Sequence, residues 1–132
     1  MRLIAHVASS AADTDVTAKL VDVHPNGFAQ RLCDGVLRLR YRCGFSREES
    51  LTPSQVYEVC VAMWDTCLRL VAGHRLRLEV ASSAFPKIDV NLGTGGDMVT
   101  ETEGVIAHNE LWHSAARPSR LLLHTRTVPP AG

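Results

Sequence analysis

The serines, histidines and carboxylates are the residues of this sequence with the greatest chemical potential, because together they can form a hydrolytic triad. The sequence contains six histidines and 14 aspartates plus glutamates. A nucleophile elbow needs Gly-x-Ser-x-Gly on a sharp turn between a strand and a helix, and no serine lies between glycines at that spacing. The serines at 9, 10, 82 and 83 are therefore expected to bond nearby backbone groups. No catalytic residue is predicted.

Metal ligation has two candidate sources in the sequence. The four cysteines form no close Cys-x-x-Cys pair, so they are interpreted as small core or strand residues, with disulfides left open. Carboxylates in a loop can bind calcium, and the acids considered for such a site are Asp13, Asp15, Asp89 and Asp97, with Asn91. Solvated acids in a turn are the favoured interpretation. No metal and no cofactor is predicted.

A glycine-rich stretch and three large aromatic residues are the remaining candidates for binding. The glycines at 93–96 lack the lysine and the helix of a phosphate cradle, so turn geometry is their expected role. Aromatic side chains usually pack in a core, but Phe85 lies in a long loop, where its ring needs a cover. The candidate interface residues are Phe85, Pro86, Asp89, Asn91 and Trp112.

Length and charge limit the classes of protein. A chain of 132 residues fits one domain. Lysine plus arginine and aspartate plus glutamate each total 14, so no net field attracts nucleic acid or an anionic membrane. No apolar run approaches the length of a membrane span, and the first ten residues make a poor signal peptide. The expected location is the cytoplasm, without nucleic-acid or membrane partners.

The elements that must position these residues are predicted to be strands. Apolar and charged residues alternate strictly at 36–42 and 75–82, which places one face on a core and the other in water. In the first of these segments the arginines at 38, 40 and 42 share the water face. Weaker strand patterns lie at 3–8, 16–23, 105–111 and 121–124. These six short strands predict an all-β sandwich or jelly roll.

Three connecting segments carry their own signals. HPNG at 24–27 predicts a tight reversal, and residues 83–102 predict a packed surface loop. TPSQ at 52–55 has the form of a helix capping box, and the apolar residues after it recur at helical spacing. The same residues also alternate, with Tyr57, Val59, Val61 and Met63 on one face. A strand is predicted there, with a helix as the alternative.

Four blocks of the sequence resemble a known family in the same order: DTDVTAKLVDVHPNG at 13–27, AGHRLRLEVASSAFP at 72–86, NLGTGGD at 91–97 and HSAARPSRLLL at 113–123. The family is the C-terminal domain of the cocaine esterase and X-Pro dipeptidyl-peptidase group of serine hydrolases. The resemblance implies a galactose-binding-like jelly roll that packs on a separate α/β-hydrolase domain holding the triad. It also implies a strand at 56–64.

The resemblance further implies that residues 1–132 form a C-terminal-type sandwich that begins inside the domain, with its first strands and the α/β-hydrolase domain absent. Uncovered strand edges invite pairing with a second copy, so a homo-oligomer is expected. The predicted function is a non-catalytic accessory domain of an X-Pro dipeptidyl-peptidase or acyl esterase. The alternative is a stand-alone jelly roll that binds carbohydrate or another ligand through its aromatic residues.

Overall fold

The structure is a computed structural model, and it describes residues 1–126 of the chain. Its elements are β1 (Arg2–Ser9), β2 (Asp15–Val23), β3 (Ala29–Arg38), a 3₁₀ turn η1 (Leu39–Tyr41), β4 (Tyr57–Ala62), β5 (Arg75–Ala81), β6 (Asn109–Ser114), β7 (Arg117–Pro118) and β8 (Arg120–Leu122). Over these residues, no helical segment has the length and apolarity to cross a membrane.

The strands form two antiparallel sheets. In the five-stranded sheet β1 is central: β4 pairs with one of its edges, and β8 and β6 share the other. The three-stranded sheet has the order β3-β2-β5, so β5 is an edge strand of the described structure. The expected β-sandwich is confirmed.

The core lies between the sheets and comes from alternate residues of their central strands. On β1, Leu3, Ala5 and Val7 are buried, because every second side chain points to the same face. β2 contributes its own alternating set, and the other buried apolar residues come from β3, β4, η1 and the loops. Gly35 of β3 lies so close to β4 that an added Cβ would be 2.1 Å from the carbonyl oxygen of Ala62. Only glycine fits this contact.

The predicted reversal at 24–27 is confirmed as the hairpin between β2 and β3. The backbone N–H of Gly27 donates to the carbonyl of His24 over 3.0 Å, and His24 in turn donates to Phe28. Gly27 adopts a positive φ of 88°, which costs glycine less than any other residue. The predicted strands at 3–8, 16–23 and 75–82 are confirmed as β1, β2 and β5.

The strand predicted at 56–64 is confirmed as β4, Tyr57–Ala62, and the helix alternative is wrong. Thr52 and Gln55 are linked by a turn hydrogen bond of 3.1 Å, and Ser54 has a positive φ of 63°. A left-handed residue cannot continue a right-handed helix. The chain then enters β4, where the side chains of Val59 and Val61 face the core.

Three predicted strands have wrong boundaries. The strand predicted at 36–42 is the end of β3, which begins at Ala29 and stops at Arg38, after which the chain turns through η1. The segment predicted at 105–111 becomes a strand only at Asn109, and the one predicted at 121–124 is β8, Arg120–Leu122. Local alternation could not reveal these limits, because pairing partners decide where a strand ends.

The predicted loop at 83–102 contains no strand, in agreement with the sequence, and it continues to residue 108. All four cysteines are free. The interpretation of these residues as small core or strand residues holds for Cys33, buried on β3, and for Cys60, exposed on β4, whereas Cys43 and Cys67 are exposed outside the strands. Cys60 lies on β4 with its side chain away from the core.

Candidate functional site

Three of the serines considered for catalysis form hydrogen bonds with backbone groups. The hydroxyls of Ser9, Ser10 and Ser83 each accept a hydrogen bond from a backbone N–H. Ser9 is buried at the end of β1, and its Oγ lies 3.1 Å from the nitrogen of Ala11. The expectation that these side chains cap strand ends is confirmed for these three residues.

Asp13 and Asp15 are buried and paired with arginines, so the expectation that they are solvated is wrong. Asp13 is 0% exposed and Asp15 is 3% exposed. Nε of Arg40 donates to Asp13 over 2.6 Å, and Arg38 donates to both carboxylate oxygens of Asp15 over 2.9 and 3.0 Å. Because a guanidinium neutralises each carboxylate, these acids have no need of calcium.

The arginines are placed by the register of the hairpin. Asp15 of β2 lies opposite Arg38 of β3, and the same register continued by two residues sets Asp13 opposite Arg40. The expectation that Arg40 lies in water is therefore wrong, since it is buried. The sequence did contain a signal, because two acids and two arginines have the same i, i+2 spacing on both sides of a predicted reversal.

These ion pairs alter the arginines. The hydrogen bond with Asp15 raises the pKa of Arg38, against the opposing effect of desolvation. For Arg40, burial acts to lower the pKa, but the hydrogen bond and charge of Asp13 outweigh it, and the pKa is raised. Both guanidinium groups stay charged, which is what two buried carboxylates require.

Asn91 joins the two ion pairs and ties the long loop to them. Its Nδ2 donates to Asp13 over 2.9 Å and to Asp15 over 2.8 Å, while its Oδ1 accepts from the nitrogen of Gly93 over 2.9 Å. Arg38 and Arg40 also donate to loop carbonyls. The cluster of Asp13, Asp15, Arg38, Arg40 and Asn91, named here the ion-pair cluster, therefore fixes the loop after β5.

The loop presents three of the predicted interface residues. Phe85, Pro86 and Asp89 are exposed, with Phe85 70% exposed. Asn91 is half-buried, and its amide is bonded inside the ion-pair cluster. Trp112 lies on β6 of the other sheet, where the guanidinium of Arg117 stacks 4.7 Å from its ring centroid. The structure thus brings Phe85, Pro86 and Asp89 into one loop and leaves Trp112 apart from them.

A cleft between the two sheets is the feature that sequence reasoning did not locate. It has a volume of ≈ 250 Å³ and opens between the β1–β6 side and the β2–β5 side. Its apolar lining includes Val7, Val16, Val80 and Leu111. Leu111 lies opposite Val7 in the register of β1 and β6, so both side chains face the core side of the sheet. Val7 is 5% exposed, whereas Leu111 is 42% exposed.

The sandwich is therefore open along β5 and β6. Every residue of β6 is exposed, although it is a hydrogen-bonded strand. Val105 and Ile106, in the loop that leads into β6, are exposed as well. We name the cleft and its β5 and β6 walls the open edge. A β-sandwich whose core is open along one side is the class of domain that this fold and this cleft define.

Comparison with known proteins agrees with this class. Residues 1–122 match the family described as X-Pro dipeptidyl-peptidase C-terminal non-catalytic domain. The chain belongs to this family. It is 43% identical over 119 residues to cocaine esterase from Rhodococcus sp. (strain MB1 Bresler), covering 89% of this chain and 21% of that protein.

Two solved structures share the fold. An aminopeptidase from a marine sediment Thaumarchaeota archaeon superposes with a TM-score of 0.83 at 26% identity, over 89% of this chain and 21% of that one. An α-amino acid ester hydrolase superposes with a TM-score of 0.65 at 22% identity, over 90% of this chain and 22% of that one. The chain thus spans about a fifth of the length of these relatives.

Proposed function

We propose that this chain is the accessory domain of a larger hydrolase of the X-Pro dipeptidyl-peptidase and acyl esterase type, and that it supports that enzyme by packing against another part of it through the open edge. The observation that carries this proposal is the exposure of Leu111. Its register places it on the core side of β6, yet it is 42% exposed in the described structure.

The physical argument is the cost of leaving core-facing apolar groups in water. Fully burying a leucine or valine side chain stabilises a fold by about 1.5–3 kcal/mol. Leu111 is half-exposed, and Val80 and Leu78 of β5 are only partly buried. β5 is also unpaired along its outer edge in the described structure. Apolar side chains beside unpaired backbone groups favour a covering strand or domain.

The proposed occupant is a further segment of a longer hydrolase polypeptide. The relatives that share this fold are about five times longer than the matched region, since the chain covers 21% of cocaine esterase and of the aminopeptidase. Ester or peptide cleavage would then belong to residues outside this domain. The loop with Phe85, Pro86 and Asp89 is proposed as a second contact, since the ion-pair cluster holds it in one conformation.

The isolated chain is proposed to self-associate through the same surface. Two copies can cover each other's open edge, because an unpaired strand such as β5 can pair with its own copy. The homo-oligomer expected from the sequence is thus a consequence of the same exposed residues.

A chimera tests the accessory role. The matching segment of the Rhodococcus cocaine esterase is replaced by residues 1–122 of this chain, and ester hydrolysis and thermal unfolding are measured. A deletion that lacks the segment is the first control, and the chimera with Leu111→Glu is the second. We expect the chimera to be soluble and active, the deletion to be unstable, and Leu111→Glu to lower the Tm of the chimera.

Two results would count against the proposal. One is a chimera that stays inactive although residues 1–132 alone give a cooperative unfolding transition. The other is a deletion as stable and active as the chimera. Saturable binding of simple sugars to residues 1–132 would instead support a stand-alone binding module, for which Phe85 would have to act from the loop after β5 and Trp112 from β6.

A further inference from the structure

Asp22, His24 and His74 meet at the end of β2 farthest from the ion-pair cluster. Val23 of β2 lies opposite Arg75 of β5, and the same register continued by one residue sets His24 opposite His74. Asp22 precedes His24 by two residues, so both side chains leave the strand on one side. The backbone therefore brings a carboxylate and two imidazoles to one point.

The distances within this cluster are short. Nδ1 of His74 lies 3.0 and 2.9 Å from the two carboxylate oxygens of Asp22. Nε2 of His24 lies 3.6 Å from Oδ2 of Asp22, and the centroids of the two imidazole rings are 4.2 Å apart. One ligand atom from each residue lies within 4.8 Å of the others.

In the described structure one polar atom of the cluster has no hydrogen-bond partner, and the buried carboxylate is paired with histidines alone. Nε2 of His24 is buried and has no hydrogen-bond partner among the described residues. The side chain of Asp22 is 4% exposed, and its ion-pair partners over residues 1–126 are these two histidines. Asp13 and Asp15 differ, because each is paired with an arginine that is always charged. A buried carboxylate requires a cation or strong hydrogen bonds.

We propose that Asp22, His24 and His74 bind a borderline divalent transition-metal ion, of which Zn²⁺ is the test case. Imidazole nitrogen and carboxylate oxygen are ligands of Zn²⁺, and three protein ligands leave a fourth position for water. Tetrahedral ligands about 2.0–2.1 Å from Zn²⁺ are separated by about 3.3 Å. The observed separations of 2.9 and 3.6 Å from Oδ2 of Asp22 bracket this value.

Binding requires a change of tautomer at His74. The nitrogen that coordinates the metal must carry no proton, so His74 would keep its ring hydrogen on Nε2 when Nδ1 binds the ion. Asp22 then exchanges its hydrogen bond with His74 for a bond to the metal. Calcium and magnesium are disfavoured, because they prefer six or more oxygen ligands.

Both histidines are held in place before any ion arrives. The N–H of His24 donates to the carbonyl of Phe28 over 2.8 Å, and the ring of Phe28 packs edge-on against the His24 ring at 5.1 Å. The N–H of His74 donates to the carbonyl of Val71 over 3.1 Å. Ligands on a hairpin and a turn that are fixed by backbone bonds lose little freedom on binding.

Zn²⁺ binding to residues 1–132 tests the site. The purification tag is removed and the exposed cysteines, which also bind zinc, are replaced by serine: Cys43, Cys60 and Cys67. Calorimetry with ZnCl₂ is expected to give one ion per chain, and Co²⁺ is expected to show the absorption of a tetrahedral nitrogen and oxygen site. Ca²⁺ and Mg²⁺ serve as ions that should not compete.

Variants locate the ion. His24→Gln and His74→Gln are each expected to weaken Zn²⁺ binding by at least about tenfold. Changes to residues that only support a metal ligand already weaken binding by about 10–100-fold, so loss of a ligand should cost no less. His113→Gln, on an exposed strand, is the matched control and should bind like the parent. His24→Gln should fold normally, because Nε2 of His24 makes no hydrogen bond in the described structure.

The outcomes are decisive in either direction. Stoichiometric binding that His24→Gln weakens and His113→Gln does not would support the site, and Zn²⁺ should then raise the Tm of the parent more than that of His24→Gln. No Zn²⁺ binding, binding unchanged in His24→Gln, or equal competition by Ca²⁺ would overturn it. If His74→Gln fails to fold, the His24→Gln result decides.

Discussion

Oδ2 of Asp13 lies 2.6 Å from Nε of Arg40, and Oδ1 of the same carboxylate lies 2.9 Å from the backbone nitrogen of Arg40. One buried side chain thus binds both the backbone and the guanidinium of a residue 27 positions away. Because Asp13 lies in the connection between β1 and β2, the pair fastens this connection to the 3₁₀ turn that follows β3.

Asp13→Ala should destabilise the chain strongly, because it leaves the Arg40 guanidinium buried without its partner. Breaking one side of a buried pair costs about 3–5 kcal/mol. Urea unfolding followed by circular dichroism measures the loss. Arg47→Ala is the control: Arg47 is 80% exposed and lies 3.6 Å from Glu49, so its removal should leave the midpoint unchanged. Equal midpoints for the two variants would contradict the role of Asp13.

Asn91→Asp should be destabilising at pH 7 and less so at acid pH. The change replaces the two donors that serve Asp13 and Asp15 with a third carboxylate, at a cost of about 1–3 kcal/mol. Two neighbouring negative charges raise the pKa of the new carboxyl in the folded chain. The deficit relative to the parent should therefore grow as the pH rises through the unfolded pKa and above.

The same substitution at Asn109, an exposed residue of β6, is the matched control for Asn91→Asp. Its difference from the parent should be small and nearly independent of pH. Unfolding midpoints measured at several pH values check both variants. A deficit of Asn91→Asp that is the same at every pH would show that the new carboxyl does not meet the two acids.

Three of the four cysteines should react quickly with a thiol reagent, and one should react slowly. Cys33 is 5% exposed, and its burial raises the pKa of its thiol. A raised pKa means less thiolate at a given pH, and the thiolate is the reactive form. Cys43, Cys60 and Cys67 are exposed. In denaturant all four should react together, and four equal rates in the folded chain would contradict the burial of Cys33.

Leu111→Glu should reduce self-association of residues 1–132, because a second copy that covered the cleft would have to bury a charged side chain on the core side of β6. Size-exclusion chromatography with light scattering measures the mass at several concentrations. Val99→Glu is the control, since Val99 is 91% exposed and does not line the cleft. A parent chain that stays a clean monomer at high concentration would contradict the proposed self-association.

Much of the strand content could be predicted from local pattern, because apolar and charged residues alternate along β5, and every second residue of β1 from Leu3 to Val7 is buried. The turn after Arg38 could not be predicted, because Leu39 and Arg40 continue the apolar and charged alternation of β3 although the strand has ended. Arg40 is drawn inside by Asp13, a partner distant in sequence, and local patterns contain no such information. The three-residue β8 was likewise too short for its limits to be evident.

Among the candidate interface residues, the sequence could predict which side chains of the long loop are exposed, but not which ones bind other segments. Phe85, Pro86 and Asp89 are exposed because a long loop after an edge strand has few neighbours. Asn91 sits in the same loop, but its amide binds two acids from another segment. The cleft at Leu111 depends on which strands meet across the two sheets, and one strand's sequence does not contain that information.

Hydrogen exchange across the open edge tests the accessory role most directly. Amide exchange of β5 and β6 is compared between residues 1–132 alone and the cocaine esterase chimera, with the central strand β2 as the internal reference. Concentrations are kept low enough to exclude self-association. We predict slow exchange of β2 in both proteins and a marked slowing of β5 and β6 in the chimera alone. Equal exchange of β5 and β6 in the two proteins would contradict the claim that another part of a larger hydrolase covers this surface.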